Sequence, residues 1–226
     1  HISKIISIKT NAFIMKVLIT AGPTYEPIDP VRFIGNRSSG KMGFAIAEAF
    51  AAKNIDVLLI AGPVQLQTVS PRIERIDIES ASDMYRAVVQ NFKDYDILVF
   101  CAAVADFTPE VVHSEKIKRK SDDLIIRLRP TQDIAATVGK QKTDKQFLVG
   151  FALETNDEQA NAMGKMQRKN LDMIVLNSLN DKGAGFGYDT NKVTIITRRG
   201  ETIELPLLPK TEVADHIVAT ILGRFE

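Results

Sequence analysis

The stretch MKVLITAG, residues 15–22, decides the fold class of the chain. Its apolar residues form a nearly continuous run rather than a strict alternation, which is typical of a strand covered on both faces in a parallel sheet. A helical pattern follows at residues 38–54, where apolar side chains such as Phe44 and Phe50 recur at helical spacing. A buried strand followed by an amphipathic helix predicts the first unit of an α/β protein.

The same alternation continues along the rest of the chain. We predict further strands at residues 55–62, 72–78, 94–103, 123–130, 146–152 and 171–178, helices at 80–93, 131–141, 156–170 and 211–222, and a hairpin at 192–207. Strands that alternate with helices in this way predict a doubly wound, mostly parallel, Rossmann-like sheet with helices on both faces and a late β-hairpin. We expect residues 15–226 to form a single domain, and residues 1–14 to be a cloning remnant or an N-terminal extension.

Composition excludes several classes of function. Lys+Arg 29 against Asp+Glu 28 gives a net charge of +1, so no global field favours nucleic acid or an anionic membrane as a partner. No apolar run reaches the ~18 residues that a membrane span needs. The single cysteine, Cys101, cannot form an internal disulfide and is expected to be a small core residue. These features agree with a cytoplasmic protein.

Three long loops of unusual composition follow predicted strands. They span residues 22–37, 102–120 and 180–190. Ligands of open parallel sheets bind at the carboxyl ends of the strands, where such loops emerge. The functional site is therefore expected among these loops.

The first loop leads into GNRSSGKMG, residues 35–43, which is almost a phosphate-binding P-loop. Its glycines and lysine fit the template G-x-x-x-x-G-K-[ST], but Met42 stands where the metal-binding hydroxyl belongs. A long excursion also separates this segment from the preceding strand, which argues against a Walker-type NTPase. At the start of the predicted helix stand Ser38, Ser39, Gly40 and Lys41. They either bind phosphate through backbone N–H groups or simply cap the helix, with Ser38 or Ser39 as N-cap.

Charged residues in the later segments suggest counter-charges for an anionic ligand. KIKRK at residues 116–120 is either a solvated surface run or a partner for a nucleoside triphosphate. Asp106 either contacts a ribose or base amine or caps its loop. Lys165 and Lys169, four residues apart on one helix face, are either solubilising charges or phosphate ligands. No metal-ligand spacing appears among the histidines.

Several segments together resemble one family. They are GPTYEPIDPVRFIGNRSSGKMG, AAVADF, EKIKRK, VGFALET and KNLDMIVLN, and they occur in family order between Met15 and the final helix. The chain resembles phosphopantothenate-cysteine ligases (phosphopantothenoylcysteine synthetases) of coenzyme A biosynthesis. The resemblance implies that 4'-phosphopantothenate is activated by a nucleotide, CTP in the bacterial branch and ATP in the eukaryotic one, and then coupled to cysteine. It also implies Mg²⁺ with the triphosphate and a homodimer, with the late hairpin as a candidate interface.

The same resemblance assigns roles to individual residues. Asn36 matches the asparagine that contacts the acyl carbonyl, Arg32 an arginine on the pantothenate side, and Lys116 the lysine that forms the acyl-nucleotide. Nucleotide-binding positions match Asp106, Phe151, Lys165 and Lys169, with base recognition by the backbone around Ala102 and by Asp133, Ile134 and Ala135. The resemblance implies a nucleotide site that needs no metal-binding hydroxyl at position 42, so Met42 does not argue against nucleotide binding.

The sequence departs from the family pattern in a few places. Leu153 stands where the family often has alanine, and Phe107 where it has a larger aromatic residue, so details of the nucleotide pocket stay open. Family members are often fused behind a flavin-dependent decarboxylase, and we expect this chain to be either a stand-alone ligase or an excised domain.

Two other functions fit part of the pattern. An NAD(P)-dependent Rossmann-type reductase would suit the predicted sheet, although a compact G-x-G-x-x-G is missing after the first strand. A non-catalytic nucleotide-sensing or flavin-associated module would bind ligand without turnover. Release of pyrophosphate separates the ligase from both.

Overall fold

The computed structural model describes residues 15–119, 123–154, 158–178 and 187–225. The expected N-terminal extension at residues 1–14 lies outside them. The strands are β1 Lys16–Ala21, β2 Tyr25–Asp29, β3 Arg32–Gly35, β4 Asp56–Ala61, β5 Ile73–Asp77, β6 Ile97–Phe100, β7 Phe107–Pro109, β8 Leu128–Pro130, β9 Phe147–Glu154, β10 Met173–Ser178, β11 Thr190–Asn191, β12 Val193–Thr197, β13 Thr202–Glu204 and β14 Leu208–Pro209. The helices are α1 Lys41–Ala52, α2 Ala81–Asn91, α3 Ile134–Gln141, α4 Glu158–Arg168 and α5 Lys210–Leu222, and a 3₁₀ turn at Phe92–Asp94 follows α2.

A central sheet of eight strands organises the fold, in the order β13-β12-β10-β9-β6-β1-β4-β5. The pairs from β10 to β5 are parallel, and β12 and β13 add an antiparallel hairpin at one edge. The chain enters the sheet at β1, runs outward through β4 and β5, and then returns to build the other half from β6. This confirms the predicted doubly wound sheet with a late hairpin. The direction of winding reverses between β1 and β6, where such sheets bind ligands.

Two apolar layers hold the helices to the sheet. Because successive strand residues point to opposite faces, Val17 and Ile19 of β1 pack on one side while Leu18 packs on the other. Helices α1 and α5 cover the first side, and α2, α3 and α4 cover the second. Burial on both faces is the physical reason for the nearly continuous apolar strands.

Two segments differ from the sequence-based prediction. The expected strand at 123–130 reduces to β8, which pairs only with β7 in a separate two-stranded sheet, and Ile125 is 84% exposed. The expected loop at 22–37 contains a hairpin, β2 with β3, in which the Tyr25 and Phe33 rings stack with centroids 3.8 Å apart. Both segments lie outside the central sheet, so their apolar residues do not indicate core strands.

The starts of two helices show how local chemistry sets their boundaries. At α2, the Ser80 hydroxyl accepts from Asp83 N, and the Asp83 carboxylate accepts from Ser80 N at 3.0 Å, which forms a capping box. At α1, the prediction of Ser38 or Ser39 as N-cap is wrong. Gly40 occupies that position in a left-handed conformation with φ 77°, which glycine adopts without strain.

Candidate active site

A cleft of about 570 Å³ opens at the carboxyl ends of the central strands. Thr20 of β1, Phe100 of β6 and Phe151 of β9 form its floor, and loops from both halves of the sheet form its walls. This is the reversal point of the doubly wound sheet, where the sequence predicted a site.

Three glycines shape the side of the cleft formed by β1 and α1. Gly22 and Gly40 both have positive φ, 79° and 77°, and a Cβ added to Gly40 would lie 3.4 Å from the Gly22 Cα. A Cβ on Gly43 would lie 2.5 Å from the Ala21 Cβ, so Gly43 allows α1 to pack closely on β1. A tight turn after β1 and a close helix–strand contact are two of the roles that glycines have in a dinucleotide-binding turn, and here the β2–β3 hairpin separates them. A search for a compact motif therefore misses them.

The start of α1 faces the cleft. The segment from Ser38 to Met42 lines it, and the first turn of α1 contains no acidic residue. The leading N–H groups of a helix lack intrahelical partners and carry a partial positive charge. The Lys41 ammonium is also at this end, where it pairs with an Asp189 carboxylate oxygen at 2.5 Å. This end of the cleft is thus suited to an anion.

Met42 is a packing residue. It is 8% exposed, and its sulfur lies 3.9 Å from the amide nitrogen of the buried Asn191. The position that carries a metal-binding hydroxyl in a P-loop is therefore filled here by an apolar side chain that packs into the core from the wall of the cleft.

Asn36 lies on the exposed rim of the cleft. Its amide nitrogen donates to the Ala103 carbonyl at 2.9 Å, which also accepts from Thr24 N at 3.3 Å. The Ala103 N–H in turn donates to the Gly22 carbonyl at 2.9 Å. These bonds join the loop after β1 to the loop after β6. An amide has two N–H groups, so Asn36 retains one for a ligand.

The opposite wall begins at α3. Asp133 is its N-cap: one carboxylate oxygen accepts from Ala136 N at 2.9 Å, and the other lies 2.9 Å from the Lys169 ammonium. Ile134 and Ala135, the first residues of α3, also line the cleft. Asp106 lies on the exposed rim, where its carbonyl accepts from Thr131 N at 2.9 Å.

Lys165 of α4 and Lys169, the first residue after the end of α4, both line the cleft. The chain turns directly after them at Asn170, which has φ 53° and donates its side-chain amide to the Gly139 carbonyl at 2.8 Å. A Cβ on Gly139 would lie 1.9 Å from the Lys169 carbonyl oxygen. Gly139 therefore allows the close contact between α3 and the end of α4 that fixes Lys169, and the sequence analysis missed it.

Arg32 and Lys116 are absent from the cleft wall formed by residues 15–119, 123–154, 158–178 and 187–225. Arg32 is paired with the buried Asp29 on the β2–β3 hairpin and donates to the Ile117 carbonyl at 2.9 Å. Lys116 is exposed next to Ile117, and Lys120 of the basic run lies outside the described residues. Thus the sheet brings Lys165 and Lys169 to the other site residues, but it does not bring the described part of KIKRK there.

Two further groups on the floor of the cleft were not predicted as site residues. Cys101 packs against the first core layer, as expected, but it also lines the cleft, and burial raises the pKa of its thiol to about 12. A protonated thiol is a poor nucleophile.

Lys210, at the start of α5, is 7% exposed, and burial together with the charge of Lys41 lowers the pKa of its ammonium. Its distance in sequence from the other site residues hides it from motif analysis.

Within the described ranges, the protein has neither a metal-binding cluster nor a membrane-spanning helix. No three His, Cys, Asp or Glu side chains there are grouped so that they could hold a metal ion. No helix there has the length and apolar character to cross a membrane.

Comparison with known proteins shows the family. Residues 14–224 match the family model described as the DNA/pantothenate metabolism flavoprotein C-terminal domain. The chain belongs to this family. The structure agrees: it superposes on the crystal structure of the C-terminal domain of the coenzyme A biosynthesis bifunctional protein CoaBC with a TM-score of 0.80 and 43% identity, over 93% of this chain and 95% of that one. The resemblance seen in the sequence is thereby confirmed.

Two relatives show how this family domain is used in longer proteins. One, from an unidentified prokaryote, is named cysteine/cysteine sulfinic acid decarboxylase and is 55% identical over 207 residues, which are 92% of this chain and 58% of that protein. The other, the coenzyme A biosynthesis bifunctional protein CoaBC of Bacillus subtilis (strain 168), is 46% identical over 205 residues, 91% of this chain and 50% of that protein. The chain therefore spans about half the length of these relatives.

Proposed function

We propose that the chain joins 4'-phosphopantothenate to L-cysteine through an acyl-nucleotide intermediate, as a phosphopantothenate-cysteine ligase of coenzyme A biosynthesis. The observation that carries the proposal is the convergence of Asn36, the start of α1, the start of α3, and Lys165 and Lys169 on one cleft. The start of α1 and the two lysines were candidates from the sequence pattern, and the family resemblance implied Asn36, the start of α3 and the role of the lysines. The similarity over 95% of the CoaBC C-terminal domain supports the same conclusion.

The chemistry explains why a nucleotide is needed. A carboxylate is a poor electrophile, so a carboxylate oxygen of 4'-phosphopantothenate first attacks the α-phosphorus, and the bond to pyrophosphate breaks. The cysteine amine then attacks the acyl carbon, loses a proton, and expels the nucleoside monophosphate. Each step displaces a stable anion, which the cationic groups around the cleft can bind.

For the first step, the phosphates are proposed to lie between the start of α1 and the two lysines at the end of α4. Ser38, Ser39, Gly40 and Lys41 offer backbone N–H groups and one ammonium, and Lys165 and Lys169 offer two more. Charge builds on the leaving pyrophosphate as the bond breaks, and these groups stabilise it. Lys116 is proposed to act in the same step from the hairpin side.

For the second step, Asn36 is proposed to donate to the acyl oxygen as it gains negative charge. The loss of one such donor typically costs about 3 kcal/mol of transition-state stabilisation. The bond from Asn36 to the Ala103 carbonyl holds the amide at the cleft rim and supports this role. Arg32 is proposed to contact the pantothenate side of the substrate.

CTP is the proposed nucleotide, as in the bacterial branch that the sequence resembles. The cytosine would lie near Ala102, Asp106, Phe151 and the start of α3 at Asp133, Ile134 and Ala135, all of which line the cleft. Mg²⁺ is proposed to enter with the triphosphate, because it is usually held by phosphates, water and one or two carboxylates rather than by an all-protein cage. A nucleotide-dependent biosynthetic reaction of this kind fits a cytoplasmic location.

We also propose a homodimer. Several apolar side chains on the β2–β3 hairpin and around β7 are at least half exposed: Val31, Phe33, Phe107, Val111 and Val112. Clustered exposed apolar surface of this kind marks an interaction site, and a second copy of the chain would bury it. The late hairpin is the alternative dimer interface, and its exposed apolar side chain is Ile203, at 39% exposure.

The two surfaces can be distinguished by matched variants. Phe33→Glu is expected to shift the chain to monomers in sedimentation analysis, whereas Ile203→Glu leaves the dimer intact. The reverse pattern would assign the interface to the late hairpin, and monomeric wild-type protein would exclude the dimer.

The activity is tested by release of pyrophosphate with 4'-phosphopantothenate and Mg²⁺, comparing CTP with ATP in the presence and absence of cysteine. The proposal predicts release with CTP that cysteine stimulates. Asn36→Ala should impair amide formation more than acyl-nucleotide formation, and Lys116→Ala the reverse. No release from folded protein with either nucleotide would overturn the proposal, and equal loss in both steps for each variant would overturn the division of roles.

A second assay, for release of CO₂, tests whether this chain has the activity for which the decarboxylase relative is named. We expect no CO₂ from cysteine or cysteine sulfinate in the absence of nucleotide. Release of CO₂ by this chain alone would place that activity in the shared domain.

A further inference from the structure

Asp29 is the most heavily hydrogen-bonded carboxylate of the β2–β3 hairpin. Its side chain is fully buried, and one oxygen accepts from the backbone N–H groups of Val31 and Arg32 at 3.0 and 3.1 Å. The other accepts from Arg32 Nε at 3.0 Å, from Arg32 Nη2, and from Ile117 N at 3.1 Å. A buried carboxylate with this many donors is built into the structure.

The ion pair reaches across to a distant segment and binds both backbone groups of one residue. Asp29 accepts from the Ile117 N–H, and Arg32 Nη2 donates to the Ile117 carbonyl at 2.9 Å. Two side chains thus satisfy the donor and the acceptor of a single peptide residue, as a neighbouring strand would do. The 88 positions between Asp29 and Ile117 show that this is a tertiary contact.

A second bond fixes the same segment four residues earlier. His113 N donates to the Ile28 carbonyl at 3.0 Å, next to Asp29 on β2. The segment from His113 to Ile117 is therefore held at both ends. Lys116 directly precedes Ile117, the residue that Asp29 and Arg32 hold. The backbone position of Lys116 is set by the hairpin although its side chain is exposed.

The charge of Asp29 is maintained in spite of its burial. Burial alone would raise its pKa, but the hydrogen bond from Arg32, the N–H groups of Val31 and Ile117, and the charge of Arg32 hold the pKa of Asp29 well below its usual range. The carboxylate is consequently ionised near neutral pH.

We propose that Asp29 is a positioning residue that, through its ion pair with Arg32, holds the segment carrying Lys116 against the β2–β3 hairpin, the side from which Lys116 is proposed to act. The inference rests on the proposed function for the role of Lys116, but the contact itself does not depend on it. Arg32 uses Nε and Nη2 for this contact, which leaves its Nη1 edge for the substrate contact proposed above.

Asp29→Asn tests the inference because it removes the charge and replaces one acceptor by a donor that faces Ile117 N–H or Arg32. Asp83→Asn is the matched control: it removes the charge from another Asp–Arg pair with i,i+3 spacing, on α2, and leaves the N-cap Ser80 in place. Hydrogen exchange over residues 113–119 reports on the contact. The rate of CTP-dependent pyrophosphate release reports on the step in which Lys116 is proposed to act.

We expect Asp29→Asn to speed exchange at residues 113–119 and to lower kcat by about tenfold or more, with the KM for CTP nearly unchanged. Asp83→Asn should change neither. In the double variant Asp29→Asn/Lys116→Ala, kcat should equal that of Lys116→Ala alone, because both changes remove the same contribution. A purely structural defect would instead make the two losses multiply.

Unchanged exchange, an unchanged kcat, or multiplying losses would each overturn the inference. If wild-type protein releases no pyrophosphate, the proposed function fails, and the exchange experiment alone then decides whether Asp29 holds the segment.

Discussion

The cleft and the β2–β3 hairpin beside it both carry predicted site residues, but they assemble them by different means. In the cleft, the residues follow parallel strands, and their meeting is a consequence of the strand order. On the hairpin, Arg32 meets the Lys116 segment through individual polar contacts: Arg32 donates to the Ile117 carbonyl, and the buried Asp29 accepts from both Arg32 and the Ile117 N–H. The difference shows that sheet topology places strand-end residues, whereas the positions of inserted segments depend on individual polar contacts.

The largest effect is expected from breaking the helix–strand contact under the cleft. Gly43→Val would force a side chain into the space where even a Cβ lies 2.5 Å from that of Ala21. We expect a loss of about 3 kcal/mol in unfolding free energy, measured by urea denaturation, together with loss of nucleotide binding.

Gly164→Ala provides the control for this change. Its added Cβ would meet only the flexible end of Arg168, so the unfolding free energy should change by less than about 1 kcal/mol. A Gly43→Val protein as stable as the control would contradict the close packing of α1 on β1.

An intermediate effect is expected for the lysines, and it sharpens the contrast between the two regions. Lys169→Ala removes an ammonium from the cleft and leaves the Asp133 carboxylate there without its partner at 2.9 Å. We expect CTP affinity, measured by calorimetry, to fall roughly tenfold to a hundredfold, the usual range for a lost charge-assisted hydrogen bond.

Lys118→Ala, in the exposed basic run on the hairpin side, serves as the comparison. We expect it to weaken CTP binding by less than about threefold, as for an exposed charge. Equal losses for Lys118 and Lys169 would show that the basic run reaches the nucleotide after all.

The smallest effect is expected at Cys101. Because the pKa of its thiol is raised to about 12, the group is neutral at pH 8 and contributes no charge to phosphate binding. Cys101→Ala should change CTP affinity by less than about twofold.

Alkylation of the thiol gives a direct check on that pKa. The folded-state pKa is above the unfolded value, so ionisation of Cys101 favours unfolding as pH rises above about 8.5. Iodoacetamide at pH 8 should therefore label the folded chain far more slowly than the unfolded chain. Equal labelling rates would contradict the raised pKa.

Much of the fold could be predicted because its signals are local. Continuous apolar strands, helical spacing and the Ser80 capping box all follow from neighbouring residues. The error at residues 123–130 arose because the apolar run that ends in β8 pairs outside the sheet, and apolar composition alone does not distinguish exposed from buried strands.

The site was predictable to a smaller degree. Family resemblance identified the cleft residues, but Gly139, Lys210 and Asp29 act through contacts with residues far away in sequence. Gly40 displaced the serines as N-cap because its left-handed conformation turns the chain from the hairpin into α1. The spacing of residues along the sequence does not predict such long-range contacts.

The central claim is that the carboxylate is activated as an acyl-nucleotide, and isotope transfer tests it most directly. The chain would be supplied with CTP, Mg²⁺, cysteine and 4'-phosphopantothenate carrying ¹⁸O in its carboxylate, and the products analysed by mass spectrometry. The account predicts that one ¹⁸O atom appears in CMP, because that oxygen joins the α-phosphorus before the amide forms. Amide formation with ¹⁸O absent from CMP would contradict the account and would require activation at a different phosphate.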